Sequence, residues 1–365
     1  MYHNRQRPYT PCRFRVAFTE EFPLTSERRN VLVTGATGFV GRHLVDGLLR
    51  ASDVQVNIIT RGRHAPPDEW VGRVQVWTAD LADESSPKPA LSGLDVVYHL
   101  AAETRDPVLF HKVNVGGTRN LLNACAEMGL SRFLHVSSAG VVGSGQGYYL
   151  DEETSPSPED EYEQSKLMAE QTVRAFAEQK AMPVTIIRPT IVFGEGPRRG
   201  RDSFGEWLRA IQSGRFWPIG RGSYVANYIY VKDLVEGCIL AANSQNAVGE
   251  TYILSDPCSM KEFISMMAGA LGKNVPRLFM PVPLACLVAA GFEMLHKVSG
   301  RPVPLTRSRV RALTTRRVYS PRKIQEELGF APRIGLAEGV RRTVASYVDN
   351  GFLLPCDHDD HGGRA

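Results

Sequence analysis

The chain has 365 residues, 43% of them hydrophobic and 22% charged, and a formal net charge of +4. That length allows one large α/β domain with a smaller companion and a sizeable core, and the charge is too mild to point to nucleic acid. The six cysteines (Cys12, Cys125, Cys238, Cys258, Cys286 and Cys356) form no C-x-x-C pair. A disulfide framework and a zinc site are therefore not expected, nor is any other metal, and a reducing cytoplasm is the plain compartment.

Residues 1–29 are basic (Arg5, Arg7, Arg13, Arg15) and broken by Pro8, Pro11 and Pro23. They lack the apolar core of a signal peptide and read as a disordered arm, with contact to an acidic surface as the alternative. Val31-Leu32-Val33 then reads as a buried parallel strand. Gly35, Gly38 and Gly41 follow at three-residue spacing, ahead of a helix expected over roughly His43 to Arg50. Gly35 lets the chain turn, Gly38 leaves no Cβ to block a pyrophosphate, and Gly41 lets the helix pack closely. The helix N-terminus then faces the phosphates.

Val54 to Ile59 is a second strand, ending at Thr60-Arg61-Gly62-Arg63. Dinucleotide sites place an acid here for the ribose 2′-hydroxyl of NAD or an arginine for the 2′-phosphate of NADP. No Asp or Glu lies between Val54 and Arg63, so Arg61 and Arg63 favour NADP, with NAD the alternative. Val74 to Thr78 is a third strand, followed by Asp80-Leu81. Leu94 to Leu100 is a fourth, running into Ala101-Ala102; His99 is read as a half-buried strand-end histidine rather than a base. A helix is expected from Val113-Asn114 to about Met128, a fifth strand at Arg132 to Val136, then Ser137-Ser138. A helix over Glu161 to Gln179 precedes a sixth strand, Val184 to Ile187, and Arg188-Pro189. This alternation predicts a doubly wound parallel sheet.

Tyr162 and Lys166 are four residues apart, on one face of a helix about one turn apart. An ammonium near a phenol favours phenolate and is expected to lower its pKa. Tyr162 then exchanges a proton with a carbonyl or alcohol oxygen. Ser138 lies at the C-terminal end of a strand, where open α/β sheets put their ligands, and is placed to align the substrate oxygen.

The segment Thr34-Gly-Ala-Thr-Gly-Phe-Val-Gly41, the pair Asp80-Leu81, His99-Leu-Ala-Ala102, Ser137-Ser138, Tyr162-x-x-x-Lys166 and Arg188-Pro189-Thr-Ile-Val192-Phe-Gly194 together resemble the extended short-chain dehydrogenase/reductase superfamily, of the NAD-dependent epimerase/dehydratase type. The resemblance runs from about Asn30 to Tyr347. It implies a Rossmann sheet with a smaller, interleaved C-terminal substrate-binding domain. The dinucleotide-binding domain spans 30–194 with segments returning near 225–255, the substrate domain mainly 195–347, and a flexible tail 348–365. It implies Ser138, Tyr162 and Lys166 as catalytic residues, with Asn114 anchoring a relay water. The implied cofactor contacts are Gly35, Thr37, Gly38, Phe39, Val40 and Gly41 at the turn, Arg61 and Arg63 at the phosphate, and Asp80 and Leu81 at the adenine. Leu100, Ala101, Ala102, Lys166, Pro189 and Val192 complete the set. Dimerisation through the helices near Asn114 and Tyr162 is a further implication.

Within the superfamily, three places resemble the 3β-hydroxysteroid dehydrogenase and dihydroflavonol reductase branch. The Arg-Asp pair of many nucleotide-sugar epimerases is Ala226-Asn227 here, the Asp-Glu pair of sugar dehydratases is Ala139-Gly140, and Arg61 looks like the NADP-type arginine of the reductases. Leu278 to Leu295 is strongly apolar, and Pro281 and Pro283 are expected to limit its helix to a dozen or so residues, too short to span a bilayer. Two readings stay open for it: core packing or an apolar substrate lid, and a peripheral membrane contact through 284–296 helped by the arginines at 301, 307, 309, 311, 316 and 317. The tail Asp357-His-Asp-Asp-His361 is read as solvated. The resulting expectation is an NAD(P)-dependent oxidoreductase acting on a secondary alcohol or ketone of an apolar, sterol-like substrate. A nucleotide-sugar epimerase with tightly bound NAD and a non-enzymatic dinucleotide sensor are the alternatives.

Overall fold

A computed structural model of the chain describes residues 29–354, apart from 64, 84–92, 127, 144–146, 197–202, 221–223, 276–277 and 300–304. The expected arm up to residue 28, Arg301 and the 357–361 tail fall outside the described residues.

The first half runs β1 (Arg29–Thr34), α1 (Phe39–Leu48), β2 (Val54–Thr60), β3 (Val74–Thr78), β4 (Val96–His99), α2 (Pro107–Phe110), α3 (Gly117–Cys125), β5 (Arg132–Val136), β6 (Tyr149–Leu150) and α4 (Glu161–Lys180). The second half runs β7 (Val184–Pro189), β8 (Ile191–Phe193), α5 (Ser203–Gln212), β9 (Val225–Tyr230), α6 (Val231–Asn243), β10 (Thr251–Leu254), β11 (Asp256–Ser259) and α7 (Met260–Ala270). It ends with α8 (Val282–Ser299), α9 (Arg307–Leu313), β12 (Val318–Tyr319), α10 (Arg322–Leu328) and α11 (Gly335–Asp349).

Seven strands form one sheet in the order β10-β7-β5-β4-β1-β2-β3, and every pair in it is parallel. The β-branched runs foreseen as strands are buried on both faces in the middle of the sheet, as parallel strands require, while the edge strand β3 stays partly exposed. One face packs Leu44, Val45, Leu48, Leu234 and Ala241 of α1 and α6. The other packs Leu121, Leu122 and Val173 of α3 and α4. The strand order reverses between β1 and β4, which opens the crevice where doubly wound sheets bind ligands. β8 and β9 pair in parallel and β11 pairs antiparallel to β9, forming a second, three-stranded sheet. That sheet shares a separate core with α5, α7 and α11. β10 returns to the main sheet beside β7.

Four element boundaries differ from the sequence reading. α1 begins at Phe39, directly after Gly38 as N-cap, and not near His43. The helix expected to open at Val113 begins at Pro107, where Asp106 accepts from the Val108 amide at 3.1 Å and proline occupies the first turn. It passes through a π-helical turn, His111–Gly116, before α3. α8 has 18 residues rather than a dozen: Pro283 lies in its first turn, where the missing N–H removes no intrahelical bond. The tail starts later than residue 348. Leu353 is buried, and Gln212 bonds both the amide and the carbonyl of Leu354.

Candidate active site

The turn after β1 is built for a close approach. Gly35 adopts φ +69°, and a Cβ there would lie 2.7 Å from the Ala101 amide nitrogen, so the turn rests directly on the backbone after β4. A Cβ on Gly41 would overlap the Gly35 carbonyl oxygen and lie 2.7 Å from Ala36 Cα. Gly38 is different: its Cβ would meet only the Gly35 oxygen, at 3.0 Å, leaving its outer side open. No side chain caps α1, and no acid occupies its first turn. An uncapped helix N-terminus beside an open glycine is a cradle for a diphosphate, and these residues fit a dinucleotide. Thr37, Phe39 and Val40 belong to this turn and first helical turn, and Leu100, Ala101 and Ala102 face it across the crevice between β1 and β4.

The other expected cofactor residues border the same sheet edge. Asp80 closes its own turn by accepting from the Ala82 amide, and Leu81 is buried against Gly117. Arg61 and Arg63 are exposed after β2. Arg61 lies near the Glu103 carboxylate, which also accepts from the amides of Thr104 and Arg105. Pro189 ends β7, and Val192 lies in β8, packed between the two main cores.

His99 is fully buried, 1% exposed, rather than half-buried. Its surroundings define its tautomer. Thr118 donates to the Asn114 carbonyl at 2.5 Å, so its hydroxyl oxygen can only accept from His99 Nε2, at 2.9 Å. Nδ1 then accepts from Thr34 Oγ1 at 2.7 Å, and Thr34 Oγ1 accepts from the Ala101 amide at 3.2 Å. Burial, reinforced by the Lys166 charge, pulls the ring's pKa down to about 3. The ring is a neutral tie, with no opening for work as a base.

Of the two serines after β5, Ser137 turns inward and is buried. Ser138 is half-buried and caps a 3-10 turn (Ala139–Val142), accepting from the Gly140 amide at 3.1 Å. Asp160 caps α4 through the Glu163 amide. Tyr162 follows in the first turn, its ring edge-on to Phe110. Lys166 is 2% exposed, and Nζ donates to the Val136 carbonyl at 2.8 Å, which brings α4 onto the end of β5. Burial lowers this ammonium to about 8, against a smaller opposing pull from Glu170. The expected lowering of the phenol is not met. Burial raises Tyr162 to about 12, and the charges of Asp160 and Glu163 add to it.

Asn114 is buried in the π-helical turn with its side chain fully engaged. Oδ1 accepts from the Glu103 amide at 2.7 Å, and Nδ2 donates to the Glu103 carbonyl at 3.0 Å and to Ser165 Oγ at 2.9 Å. Both side-chain N–H groups are spent, so a relay water would have to donate to Oδ1. Asn114 also fastens the loop after β4 to α4.

Three sets of residues escaped the sequence reading. Glu170, one turn beyond Lys166, forms a buried bidentate pair with Arg188, at 2.7 and 3.0 Å. Glu195 binds Tyr230 and Lys232 at 2.6 and 2.9 Å and holds His43 of α1 through its carbonyl. Asp233 accepts from the amides of Ile334 and Gly335 at the start of α11. Only the spacing of Glu170 on the Lys166 face offered a signal; the rest are contacts between distant segments.

Known proteins resemble this chain in sequence and in fold. The chain is 32% identical over 355 residues to the 3beta-hydroxysteroid-dehydrogenase/decarboxylase isoform 2 of Arabidopsis thaliana, covering 88% of this chain and 63% of that longer protein. It is 30% identical over 323 residues to the N-acetyl-alpha-D-glucosaminyl-diphospho-ditrans,octacis-undecaprenol 4-epimerase of Escherichia coli O157:H7, covering 86% of this chain and 94% of that one. Among solved structures, the UDP-glucuronic acid 4-epimerase of Bacillus cereus in complex with NAD superposes with a TM-score of 0.67 at 23% identity, over 88% of this chain and 96% of that one. Residues 31–255, from the glycine turn through the returning strand β10, match the NAD dependent epimerase/dehydratase family, and the chain belongs to that family of nicotinamide-dependent enzymes.

Proposed function

We propose that this protein is an NAD(P)-dependent dehydrogenase or reductase that interconverts a secondary alcohol and a ketone on an apolar, sterol-like substrate. The observation that carries the reading is the seating of the buried Lys166 on the Val136 carbonyl at the end of β5, two residues before Ser138 and on the helix whose first turn carries Tyr162. When bound, the cofactor supplies the hydride acceptor or donor; the protein's part is to hold the substrate oxygen and handle its proton. A phenol raised to about 12 is protonated at neutral pH, so Tyr162 is poised to donate to the oxygen of a ketone as that carbon takes up hydride. In the reverse direction the alcohol's proton passes to the phenolate. Ser138 positions the same oxygen, and the buried Lys166 charge favours the phenolate form once proton transfer has occurred.

The apolar substrate is supported by what replaces the sugar-nucleotide ligands. Ala226 is buried, and Asn227 spends its amide on the Arg317 carbonyl and the Tyr319 amide, so no guanidinium stands there to hold a diphosphate. The Arabidopsis relative, by its name, acts on a 3β-hydroxysteroid. NADP is the preferred cofactor on the strength of Arg61 and Arg63; Glu103, which draws on Arg61, weighs toward NAD. A second reading, epimerisation of a sugar, is favoured by the undecaprenol-linked relative at similar identity.

A panel of apolar ketones and alcohols, assayed by nicotinamide absorbance with NAD(H) and NADP(H), tests the proposal. Turnover is expected with an apolar member, faster with NADP(H), and Tyr162→Phe should lose about two orders of magnitude or more in kcat. Epimerisation of a UDP- or polyprenol-linked sugar without net nicotinamide change would replace this reading with the second.

A further inference from the structure

The outward side of α8 is an apolar stripe. Leu284, Leu287, Gly291, Met294 and Leu295 recur at helical spacing, and Leu287 and Met294 are each 71% exposed. The inner side of the helix is already satisfied, with Ala285 and Ala289 buried against Val310 of α9. The stripe continues beyond the helix. Met280 donates to the Pro218 carbonyl and accepts from the Gly220 amide, which joins the chain around Trp217 to that around Phe279. Trp217 is 53% exposed and Phe279 44%. Large exposed apolar side chains gathered in one place mark an interaction surface rather than chance exposure.

The stretch of sequence that carries α8 and α9 is one-sided in charge. Between Glu262 and Glu326 the chain carries eleven Lys and Arg against a single acid, Glu293, in a molecule whose total is only +4. Glu293 is itself paired with Arg307 at 2.8 Å; Arg311, 3.9 Å from Glu159, and Arg316 are exposed. A second copy docked on this face would bring two such surpluses together. Duplex nucleic acid would satisfy the arginines and leave the leucines in water. An anionic bilayer satisfies both: leucine, methionine and aromatic side chains enter the headgroup boundary while arginines meet the lipid phosphates. Among the described residues no helix is long and apolar enough to cross a membrane.

We propose that the outer face of α8, extended by Trp217 and Phe279, is a monotopic docking surface for a bilayer containing anionic phospholipid. The inference rests on surface chemistry and does not depend on the hydride-transfer reading. It has a bearing on the site nonetheless. The segment leaving α9 bonds to β9 through Asn227, and Tyr319 donates to the Gly143 carbonyl in the turn after Ser138. One short stretch of chain thus connects the docking face to the serine's loop.

The test is co-flotation of the full chain with vesicles of phosphatidylcholine alone or mixed with phosphatidylglycerol. Retention is expected on the mixed vesicles and not on the neutral ones, falling as salt rises. The fluorescence of Trp217 should shift to the blue on binding, a change absent in Trp217→Phe. The double substitution Leu287→Glu/Met294→Glu should weaken partitioning about tenfold or more, with Tm and nicotinamide-dinucleotide binding unchanged. Should that variant fail to fold, Arg311→Gln/Arg316→Gln decides instead, with an expected loss of several-fold. The proposal is overturned if mixed vesicles do not retain the wild type at low salt, or if the folded variants partition as it does. It is also overturned if gel filtration shows the stripe buried in a dimer that the glutamates dissociate.

Discussion

His99 joins the two sides of the crevice through one ring. Its Nδ1 accepts from Thr34, at the end of β1, and its Nε2 donates to Thr118, in α3. Protonation would turn Nδ1 into a donor and break its bond from Thr34, and it would place a charge where water cannot reach it. The folded ring takes up a proton only near pH 3, whereas the unfolded ring does so near 6.5. As pH falls through that window the unfolded chain binds a proton the folded chain does not, so stability present above pH 6.5 is lost. The loss approaches about 1.4 kcal/mol per pH unit, and His135, also buried and held well below its usual range, adds to it. His99→Gln should therefore flatten the dependence of urea midpoint on pH between 4 and 6.5, relative to wild type. An unchanged slope would mean that acid sensitivity resides elsewhere. The sequence identified the histidine and its place at a strand end, but not its burial. That depends on Thr118, nineteen residues away and on another element.

The glycine turn and α1 act as one element, and their glycines are not equivalent. Gly38 has φ −78°, a conformation any residue adopts, and an added Cβ would touch the Gly35 oxygen at 3.0 Å. Gly41 has backbone on two sides of its Cβ position. Gly38→Ala should hold Tm within a few degrees while dinucleotide affinity falls, because the new methyl group occupies the open side of the cradle. Gly41→Ala should cost about 1–3 kcal/mol in stability as well, since α1 must shift off the turn. Thermal melts combined with cofactor titration separate the two outcomes. The strand, the turn and the close packing at Gly41 were readable from sequence because they depend on neighbours within ten residues, whereas the approach of Gly35 to Ala101 joins segments far apart in the chain. The π-helical turn at Asn114 was not readable, because it is held by Glu103 and Ser165 from separate elements. α8 exceeds its expected length because a proline in the first turn of a helix does not break it.

Across the molecule, the nucleotide and substrate halves cannot be cut apart where the family match ends. Ile324 and Phe330, from α10 and the loop behind it, are buried in the same core as β1, α1 and α6. Lys323 and Glu327 bind Glu250 and Tyr252 beside β10, at 2.7 and 2.8 Å. A chain truncated after Ser255 should lose its near-UV circular dichroism and cooperative melt while keeping much of its helical signal, the behaviour of a core without fixed packing. A sharp transition in that fragment would show the first 255 residues to be self-sufficient. The alternating order of strands and helices made the sheet legible in advance; of the segments expected to return near 225–255, β10 joins the main sheet while β9 lies in the second one. The seating of α10 on that strand had no local signature, because Ile324 lies about seventy residues beyond its partners.

The chain of bonds from Ala101 through Thr34, His99 and Thr118 to Asn114 runs in one direction, every hydrogen pointing the same way. Polarity of this kind has a consequence in time. The Nε2 proton of His99 has no neighbour that reaches solvent by a small movement, since both ends of the chain finish on backbone. It can exchange with water only when α3 lifts from β4, so its exchange clock runs on opening of that packed layer rather than on breathing of the active-site loops.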